Sequence, residues 1–271
     1  MTRGRRRWLY LPLMAASIFY LVPIFVMLNT GLKSFDEVSL QTMWRLPSSL
    51  SFDNFRAAFD ALAPHLLNSV KIVIPGALLS AALGSVNGFI LAKWRFPGAN
   101  VVFSLLLFGM FIPYQAILIP LVEVMRRIGL SGSTWGLVLA HVVYGIPITT
   151  LIFRNYFAGI PEDVVEAARI DGAGMVRTYR DVLLPLAIPS FVVVLIWQFT
   201  AAWNDFLFAV VLTNNKSWPV TVALNNLAGS QIIEWNVQMA ASFLAAVPTL
   251  LVYIFLGRFF LRGMMSGALK E

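Results

Sequence analysis

The feature that most constrains this chain is a series of six apolar segments, each long enough to cross a lipid bilayer. A transmembrane helix needs about 20 predominantly apolar residues. Charged residues make up only 12% of the chain, whereas soluble domains carry about 25%. The sequence therefore predicts an all-α integral membrane protein, a single transmembrane domain over residues 1–271. The predicted spans cover residues 8–30, 66–91, 101–121, 135–157, 187–213 and 239–261.

Composition also limits the chemistry that the chain can perform. It contains no cysteine and only two histidines, His65 and His141, which excludes thiolate nucleophiles, disulfides and cysteine metal sites. Two histidines do not make a metal site alone, and we predict neither a metal site nor a catalytic residue. The net charge of +7 is attributed to loops on the cytoplasmic side of a membrane. No nucleic-acid partner is expected.

The basic residues also predict an orientation in the membrane, because Lys and Arg are enriched in cytoplasmic loops. With the N-terminus inside, 13 of the 20 Lys and Arg residues fall in cytoplasmic segments, 6 fall outside and Lys71 lies within a span. Both termini and the loop 158–189, between the fourth and fifth spans, are then cytoplasmic. We therefore expect a multi-pass membrane protein.

A polar island interrupts the apolar sequence within this loop. Pro161 suits the first turn of a helix, and the acidic Glu162 and Asp163 favour the positive end of its dipole. Gly172 predicts the end of this helix in a left-handed conformation. A second short helix is predicted from about residue 174 to 183, stopped by Pro185. The apolar face of the first helix is assigned to Val164, Val165, Ala168 and Ile170.

This loop resembles the EAA loop of permease subunits of bacterial ABC importers. The resemblance is carried by Glu166-Ala167-Ala168, by Asp171-Gly172-Ala173 and by Val182-x-Leu184-Pro185, with Val182 where isoleucine is usual. It implies that the loop forms a coupling helix, which sits in a groove on a separate ATP-hydrolysing subunit. The residues implied to couple to that subunit are Glu166, Ala167, Ala168, Asp171, Gly172, Ala173, Leu184 and Pro185.

Other segments resemble the carbohydrate-importing branch of the same family. They include Lys93–Gly98, Met110–Gln115, Trp203–Leu207 and the C-terminal Gly267–Lys270. The resemblance implies the MalG-like subunit type and a location in the bacterial cytoplasmic (inner) membrane. Such a subunit forms a heterodimer with a second homologous permease, and its further partners are two ATP-binding subunits and an extracytoplasmic sugar-binding protein. ATP and Mg²⁺ would be bound by the ATPase, and no cofactor by this chain. The runs 219–227 and 234–238 look like glucose/mannose-type permeases.

Two further features predict local structure. Phe52, Phe55, Phe59 and Leu62 recur at helical spacing and predict a short amphipathic helix at the outer interface. Four prolines within three of the spans predict kinked helices. These are Pro113, Pro120, Pro147 and Pro248.

Polar residues inside the spans are candidates for a translocation pathway, because such groups are costly in lipid and usually face the bundle interior. A sugar needs amide and carboxylate partners together with flat apolar faces. The candidates for a sugar pathway are Asn87, Gln198, Trp203, Asn204 and Asp205. The alternative is that Asn204 and Asp205 cap or cross-link helices.

A different class of protein stays open as an alternative. A primary pump would need its own phosphate-binding loop, and no lysine in the chain lies in that setting. A self-sufficient secondary transporter of a small polar solute needs no partner. It would normally show repeated halves and intramembrane acids, and Asp205 is the one clear acid within a predicted span.

Overall fold

The computed structural model describes residues 10–94, 96–229 and 234–268, with the backbone alone at 258 and 260–268. Within this part of the chain the secondary structure is helical, and no β-strand is formed. In chain order the helices are α1 (Tyr10–Gly31), α2 (Asp53–Lys93), α3 (Ala99–Phe108), α4 (Leu118–Arg127), α5 (Thr134–Ala158), α6 (Glu162–Ile170), α7 (Ile188–Trp203), α8 (Leu207–Leu212), α9 (Val220–Ala228) and α10 (Trp235–Ala268).

Several of these helices are long and apolar enough to cross a membrane. Among the described residues, α1, α2, α5 and α10 each qualify as an uninterrupted span. Two bent pairs also qualify, Ala99–Phe111 with Tyr114–Arg127 at 90° and Met175–Leu186 with Ile188–Trp203 at 75°. The prediction of a multi-pass helical membrane protein is therefore confirmed, with four to six candidate spans. The number six depends on counting each bent pair once.

The predicted separate helix at the outer interface is wrong. Phe52 directly precedes α2, and Phe55, Phe59 and Leu62 lie at the beginning of α2, which continues without a break for 41 residues. Leu62 is fully buried, whereas Phe52 and Phe59 are exposed. Because the helical spacing of the apolar residues continues into the second span, no turn signal separates the two segments.

The third span is broken rather than kinked. Ile112 and Pro113 have extended backbone, with ψ angles of 118° and 119°, because the ring of a proline disfavours helical geometry in the residue before it. Pro120 lies in the first turn of α4, where its missing N–H breaks no helical hydrogen bond. Pro147 and Pro248 lie inside α5 and α10, and the kinks expected there stay predictions.

The fifth span also differs from the prediction of one helix over 187–213. Helix α7 ends at Trp203, residues 204–206 leave the helix, and α8 begins at Leu207. The carboxylate of Asp205 accepts hydrogen bonds from the backbone N–H groups of Phe208 and Ala209, at 3.3 and 3.0 Å. This is the bonding pattern of a helix N-cap, and it starts a new helix inside an apolar segment.

By their contacts the residues divide into two units, Met1–Leu66 with Ala223–Pro248 and Leu67–Val222 with Thr249–Glu271. In the first unit, polar side chains hold the loop after α1. The Lys33 side chain is buried and its Nζ donates to the carbonyl of Thr42 at 2.7 Å. The amide of Asn54 donates to the carbonyls of Gly31 and Lys33, and Asn236 donates to Asn54 at 2.9 Å.

In the second unit, α2 packs closely against α5 along a stripe of small residues. Gly76, Ser80, Gly84 and Gly88 follow one another at intervals of four on α2. A Cβ built on Gly88 would lie 2.6 Å from the Cβ of Phe153, which shows how near the two backbones come. Small residues permit such approach between membrane helices. This contact fixes the position of α5, which contributes residues to both sites described below.

Some sequence predictions fall outside the described residues. They concern Trp8 as the start of the first span, the N-terminal arginines, Arg95 and the last residues of the matched C-terminal sequence 267–270. Their contribution to the predicted orientation stays a prediction.

Candidate functional site

The polar island forms a compact helical segment, residues 162–186, which we call the knob. Its first helix is α6, which Pro161 precedes as the N-cap and whose first turn contains Glu162 and Asp163. After α6, the N–H of Ala173 donates to the carbonyl of Ala168 and that of Gly172 to Arg169, at 2.9 and 3.0 Å. These two bonds form a Schellman motif.

The motif requires a left-handed residue, and Gly172 supplies it with φ of +75°. The predicted end of the first helix and its glycine conformation are therefore confirmed. Asp171 is the C-cap residue and is exposed, and Ala173 is half-buried.

One face of α6 is buried in the protein and the other is open. Val165 and Ala168 are buried, and Val165 packs in a core cluster with Phe89 of α2 and Phe157 of α5. Glu166 and Ala167 are exposed. Ile170 was assigned to the buried face, but it is 86% exposed. The sequence assignment failed because Ile170 lies roughly 200° around the helix axis from Ala168, at 3.6 residues per turn, and therefore on the opposite side of α6.

A buried lysine fixes the start of α6. The side chain of Lys93, 4% exposed, ends α2 and its Nζ donates to the carbonyl of Ile160 at 2.7 Å. The same Nζ donates to the carboxylate of Glu162 at 3.2 Å. Sequence reasoning did not predict this contact, because nothing local pairs residues that are 69 positions apart.

The second half of the knob is longer than predicted. A helical path runs over Met175–Leu186 and takes π-helical geometry at Thr178–Leu183. Pro185 does not stop it, because this proline occupies the first turn of a new helical segment. Leu184 is half-buried, Pro185 is exposed, and the chain bends by 75° before α7. The Tyr179 hydroxyl is 2.6 Å from that of Ser85 on α2.

A second candidate site is a cavity of about 580 Å³ beside the break between α7 and α8. Its volume lies in the range of small-molecule pockets, about 300–1,000 Å³. It is lined by residues from α5, α7, α8, the 204–206 break and the break of the third span. The lining residues are Tyr114, His141, Tyr144, Gly145, Ile148, Trp197, Gln198, Ala201, Ala202, Asn204, Asp205, Phe206, Leu207 and Phe208.

The sequence candidates for a sugar pathway separate into two groups. Gln198, Asn204 and Asp205 line the cavity. Trp203 is 3% exposed and stacks on Phe199 with ring centroids 5.4 Å apart, and Asn87 is half-buried elsewhere on α2. Neither of these two is among the described residues that line the cavity.

Sequence reasoning did not select the aromatic residues of the cavity from other elements. Tyr114 follows the break at Pro113, and Tyr144 lies on α5. The sequence contains a signal for Tyr144, since it lies one helical turn after His141 on the same face of α5. Tyr114 carries no comparable signal, because the 90° bend that directs it to the cavity was not predicted.

The polar groups in the cavity wall already have structural roles. Gln198 is buried and its amide donates to Ser80 Oγ at 3.0 Å, which links α7 to α2. Asp205 caps α8, and its backbone carbonyl accepts a hydrogen bond from the Thr221 hydroxyl at 2.7 Å. Asn204 donates to the carbonyl of Thr200 at 2.9 Å. The capping alternative is thus observed for Asp205, which also lines the cavity.

Neither site has the composition of a metal centre. Among the described residues, no group of three or more His, Asp or Glu side chains is placed to hold a metal ion. The knob offers an exposed docking surface, and the cavity offers aromatic faces with amide and carboxylate groups.

The chain is similar to known membrane transport proteins. The family model described as binding-protein-dependent transport system inner membrane component matches residues 84–265. A probable ABC transporter permease protein of Pyrococcus horikoshii is 45% identical over 264 residues, 97% of this chain and 96% of that protein. A glucose import system permease protein of Saccharolobus solfataricus is 32% identical over 265 residues, 95% of this chain and 92% of that protein.

A solved structure has the same fold. It is a chain of a bacterial ABC transporter involved in the import of the acidic polysaccharide alginate, with a TM-score of 0.80 and 22% identity. The match covers 96% of this chain and 99% of that one. At this identity the likeness is one of fold alone.

Proposed function

Because this chain belongs to the family of binding-protein-dependent transport system inner membrane components, we propose that it is a membrane-spanning subunit of an ATP-driven sugar importer. It is an ABC transporter permease, a non-catalytic membrane component whose ATPase is a separate subunit. In the proposed importer it forms half of the translocation pathway. A second homologous permease forms the other half, and an extracytoplasmic binding protein delivers the sugar.

The observation that carries the proposal is the construction of the knob. Its inner face is fixed to α2 and α5 through Val165, Lys93 and Tyr179, while Glu166, Ala167 and Gly172 lie exposed on the other side. A rigid element with one buried and one open face can transmit motion from a partner to the helices behind it. Such a link can couple the ATPase to the gate, and an ATP-driven gate requires a coupling free energy between these two sites.

The resemblance to the EAA loop gives each matched residue a proposed role. Glu166 pairs with a basic group on the ATPase, and Ala167 lets the partner's surface approach closely. Ala168 lies on the buried face and anchors the helix. Asp171, Gly172 and Ala173 form the turn, and Leu184 and Pro185 connect the knob to α7.

The ATPase subunits supply ATP binding and Mg²⁺ in this proposal, and this chain binds no cofactor. Closure of two ATPase subunits on ATP moves the knob and opens the cavity to the outside, where the binding protein releases its sugar. Both termini and the knob lie on the cytoplasmic side of the cytoplasmic membrane, as the Lys and Arg distribution predicts.

The proposed cargo is a sugar, and a glucose/mannose type is the specific hypothesis. The similarity to a glucose import permease supports it. The aromatic faces of Tyr114, Trp197 and Phe206 provide flat apolar surfaces, and Asn204 and Asp205 provide hydrogen-bonding groups. The exposed apolar helices α1 and α3 of this chain would contact either lipid or the second permease.

The test is purification in mild detergent through an affinity tag placed after Glu271, with identification of the co-purifying chains by mass spectrometry. We expect one ATPase and a second permease, and ATP hydrolysis by the recovered complex that a sugar with its binding protein stimulates. Recovery of this chain alone, stable and monodisperse, would favour the self-sufficient secondary transporter and overturn the proposal.

A further inference from the structure

The described residues that line the cavity include one carboxyl group and no Lys or Arg side chain to balance its charge. Asp205 is the one acidic residue among the described residues that line it, and none of them is Lys or Arg. The other side chain that could carry a positive charge is His141. Its Nε2 lies 3.7 Å from Asp205 Oδ2 and makes no hydrogen bond with any described group.

The carboxylate of Asp205 is held in position. It accepts hydrogen bonds from the backbone N–H groups of Phe208 and Ala209. The Thr221 hydroxyl donates a hydrogen bond to the backbone carbonyl of Asp205. Each carboxylate has about four acceptor positions, and these backbone bonds occupy two. The remaining positions can accept hydroxyl groups from a molecule in the cavity, and they cannot accept another carboxylate.

Low surrounding polarity strengthens this discrimination. Aromatic rings make up much of the wall around Asp205, with the Phe208 ring at 6.2 Å from the imidazole of His141 and at 5.0 Å from the ring of Tyr144. Two like charges repel more strongly in such surroundings than in water. An anionic cargo would meet this repulsion without a compensating cation.

We propose that Asp205 is a specificity-determining residue that restricts the cavity to uncharged, hydroxyl-rich sugars and excludes sugar acids. The inference rests on the proposed function and adds the chemical class of the cargo. In this arrangement Asp205 accepts a sugar hydroxyl, and the aromatic faces cover the apolar side of the ring.

Direct binding to the transporter complex tests the inference without selection by the binding protein. Saturation-transfer NMR detects weak ligands on the purified complex of this chain, its partner permease and the ATPase. The probes are D-glucose, D-mannose and D-galactose, each beside its uronate, which differs only in having a carboxylate at C6. We expect a signal from at least one neutral sugar and a signal at least about tenfold weaker from its uronate.

The variant Asp205→Asn removes the charge but keeps a side chain that caps helices well, and it should raise the uronate signal relative to the neutral sugar by about tenfold. Asp60→Asn is the matched control, since Asp60 is exposed on α2 and remote in sequence from the cavity. It should leave the ratio unchanged.

Three outcomes overturn the inference. They are equal binding of a uronate and its neutral sugar in the wild type, an unchanged ratio in Asp205→Asn, and no signal from any neutral sugar. If Asp205→Asn fails to assemble, the wild-type comparison decides alone. A complex that contains the ATPase but does not discriminate contradicts this inference only, whereas absence of the ATPase contradicts the proposed function.

Discussion

At the scale of single residues, the two glycines after α6 differ in what the backbone demands of them. Gly172 has φ of +75°, a conformation that costs an L-residue roughly 1–2 kcal/mol. Gly174 has φ of −72° and ψ of 172°, which any residue adopts. A Cβ on either would meet no described atom within 4 Å, so that steric crowding does not distinguish them.

We expect Gly172→Val to uncouple ATP hydrolysis from sugar uptake while expression stays intact, because the strained turn would change the direction of the exposed surface of α6. Gly174→Val is the matched control and should transport normally. The measurement is the ratio of sugar transported to ATP hydrolysed in proteoliposomes. Normal uptake by Gly172→Val would contradict the role of this turn.

The residues of the knob show what the sequence could predict locally. The end of α6 at Gly172 was predictable because helix periodicity and a following glycine are both local signals. The exposure of Ile170 was predictable as well, because the helical period turns it away from the buried Val165 and Ala168. The burial of Lys93 was not predictable, because it depends on contacts with Ile160 and Glu162, and a long-range contact of this kind leaves no trace in neighbouring residues.

A glycine of the α2 stripe carries the second prediction. The Cβ of Gly88→Ala would lie 2.7 Å from the backbone nitrogen of Arg154, and backbone cannot move aside easily. We expect a loss of about 1–3 kcal/mol in the free energy of unfolding, measured by thermal denaturation in detergent.

Gly76→Ala is the control on the same stripe, since its Cβ would lie at an ordinary 3.5 Å from that of His141. Alanine in a helix is favoured over glycine by roughly 0.5–1 kcal/mol, so that this variant should be as stable as the wild type or more so. Equal destabilisation of both variants would show that the close approach of the two backbones at Gly88 is not the cause.

At the scale of helices, the spans were predicted better than their interruptions. Apolar length is a strong signal, and it placed α5 within one residue of its observed limits, Thr134–Ala158. The break at Ile112–Pro113 and the break before α8 were missed. A proline is compatible with either a kink or a break, and packing decides between them. In the sequence, Asp205 is a polar residue in an apolar segment, and nothing there shows that it caps a new helix.

The link between α2 and α6 carries the third prediction. Lys93→Met removes the donor to Ile160 and Glu162 but keeps the apolar stem of the side chain. The start of α6 should then open more often, and amide hydrogen exchange over residues 162–170 should rise by about tenfold. Hydrogen-exchange mass spectrometry of the assembled complex measures it.

A solvated ion pair provides the control for this link. Arg127 and Glu123 pair on α4 with side chains that are 75% and 60% exposed, and such pairs contribute little to stability. Arg127→Met should leave exchange over 162–170 unchanged. Unchanged exchange in Lys93→Met as well would mean that the buried lysine does not fix the knob.

At the scale of the whole molecule, the orientation in the membrane follows from charge and not from helix geometry. Helices of either orientation would have the same length and apolarity, so the sequence argument depends on the excess of Lys and Arg in alternate loops. Several of those residues lie in the N-terminal segment and at Arg95, outside the described residues. An independent measurement of sidedness is therefore the strongest test of the predicted topology.

The absence of native cysteine makes that measurement free of background labelling. Leu40→Cys places a thiol at a site that is 88% exposed in the loop after α1, and Pro97→Cys places one in the exposed turn between α2 and α3. A membrane-impermeant maleimide should label the first from outside intact cells and the second only in inside-out vesicles. The opposite pattern would put the knob outside, where no ATP is available, and the coupling role of Glu166 would then fail with the orientation.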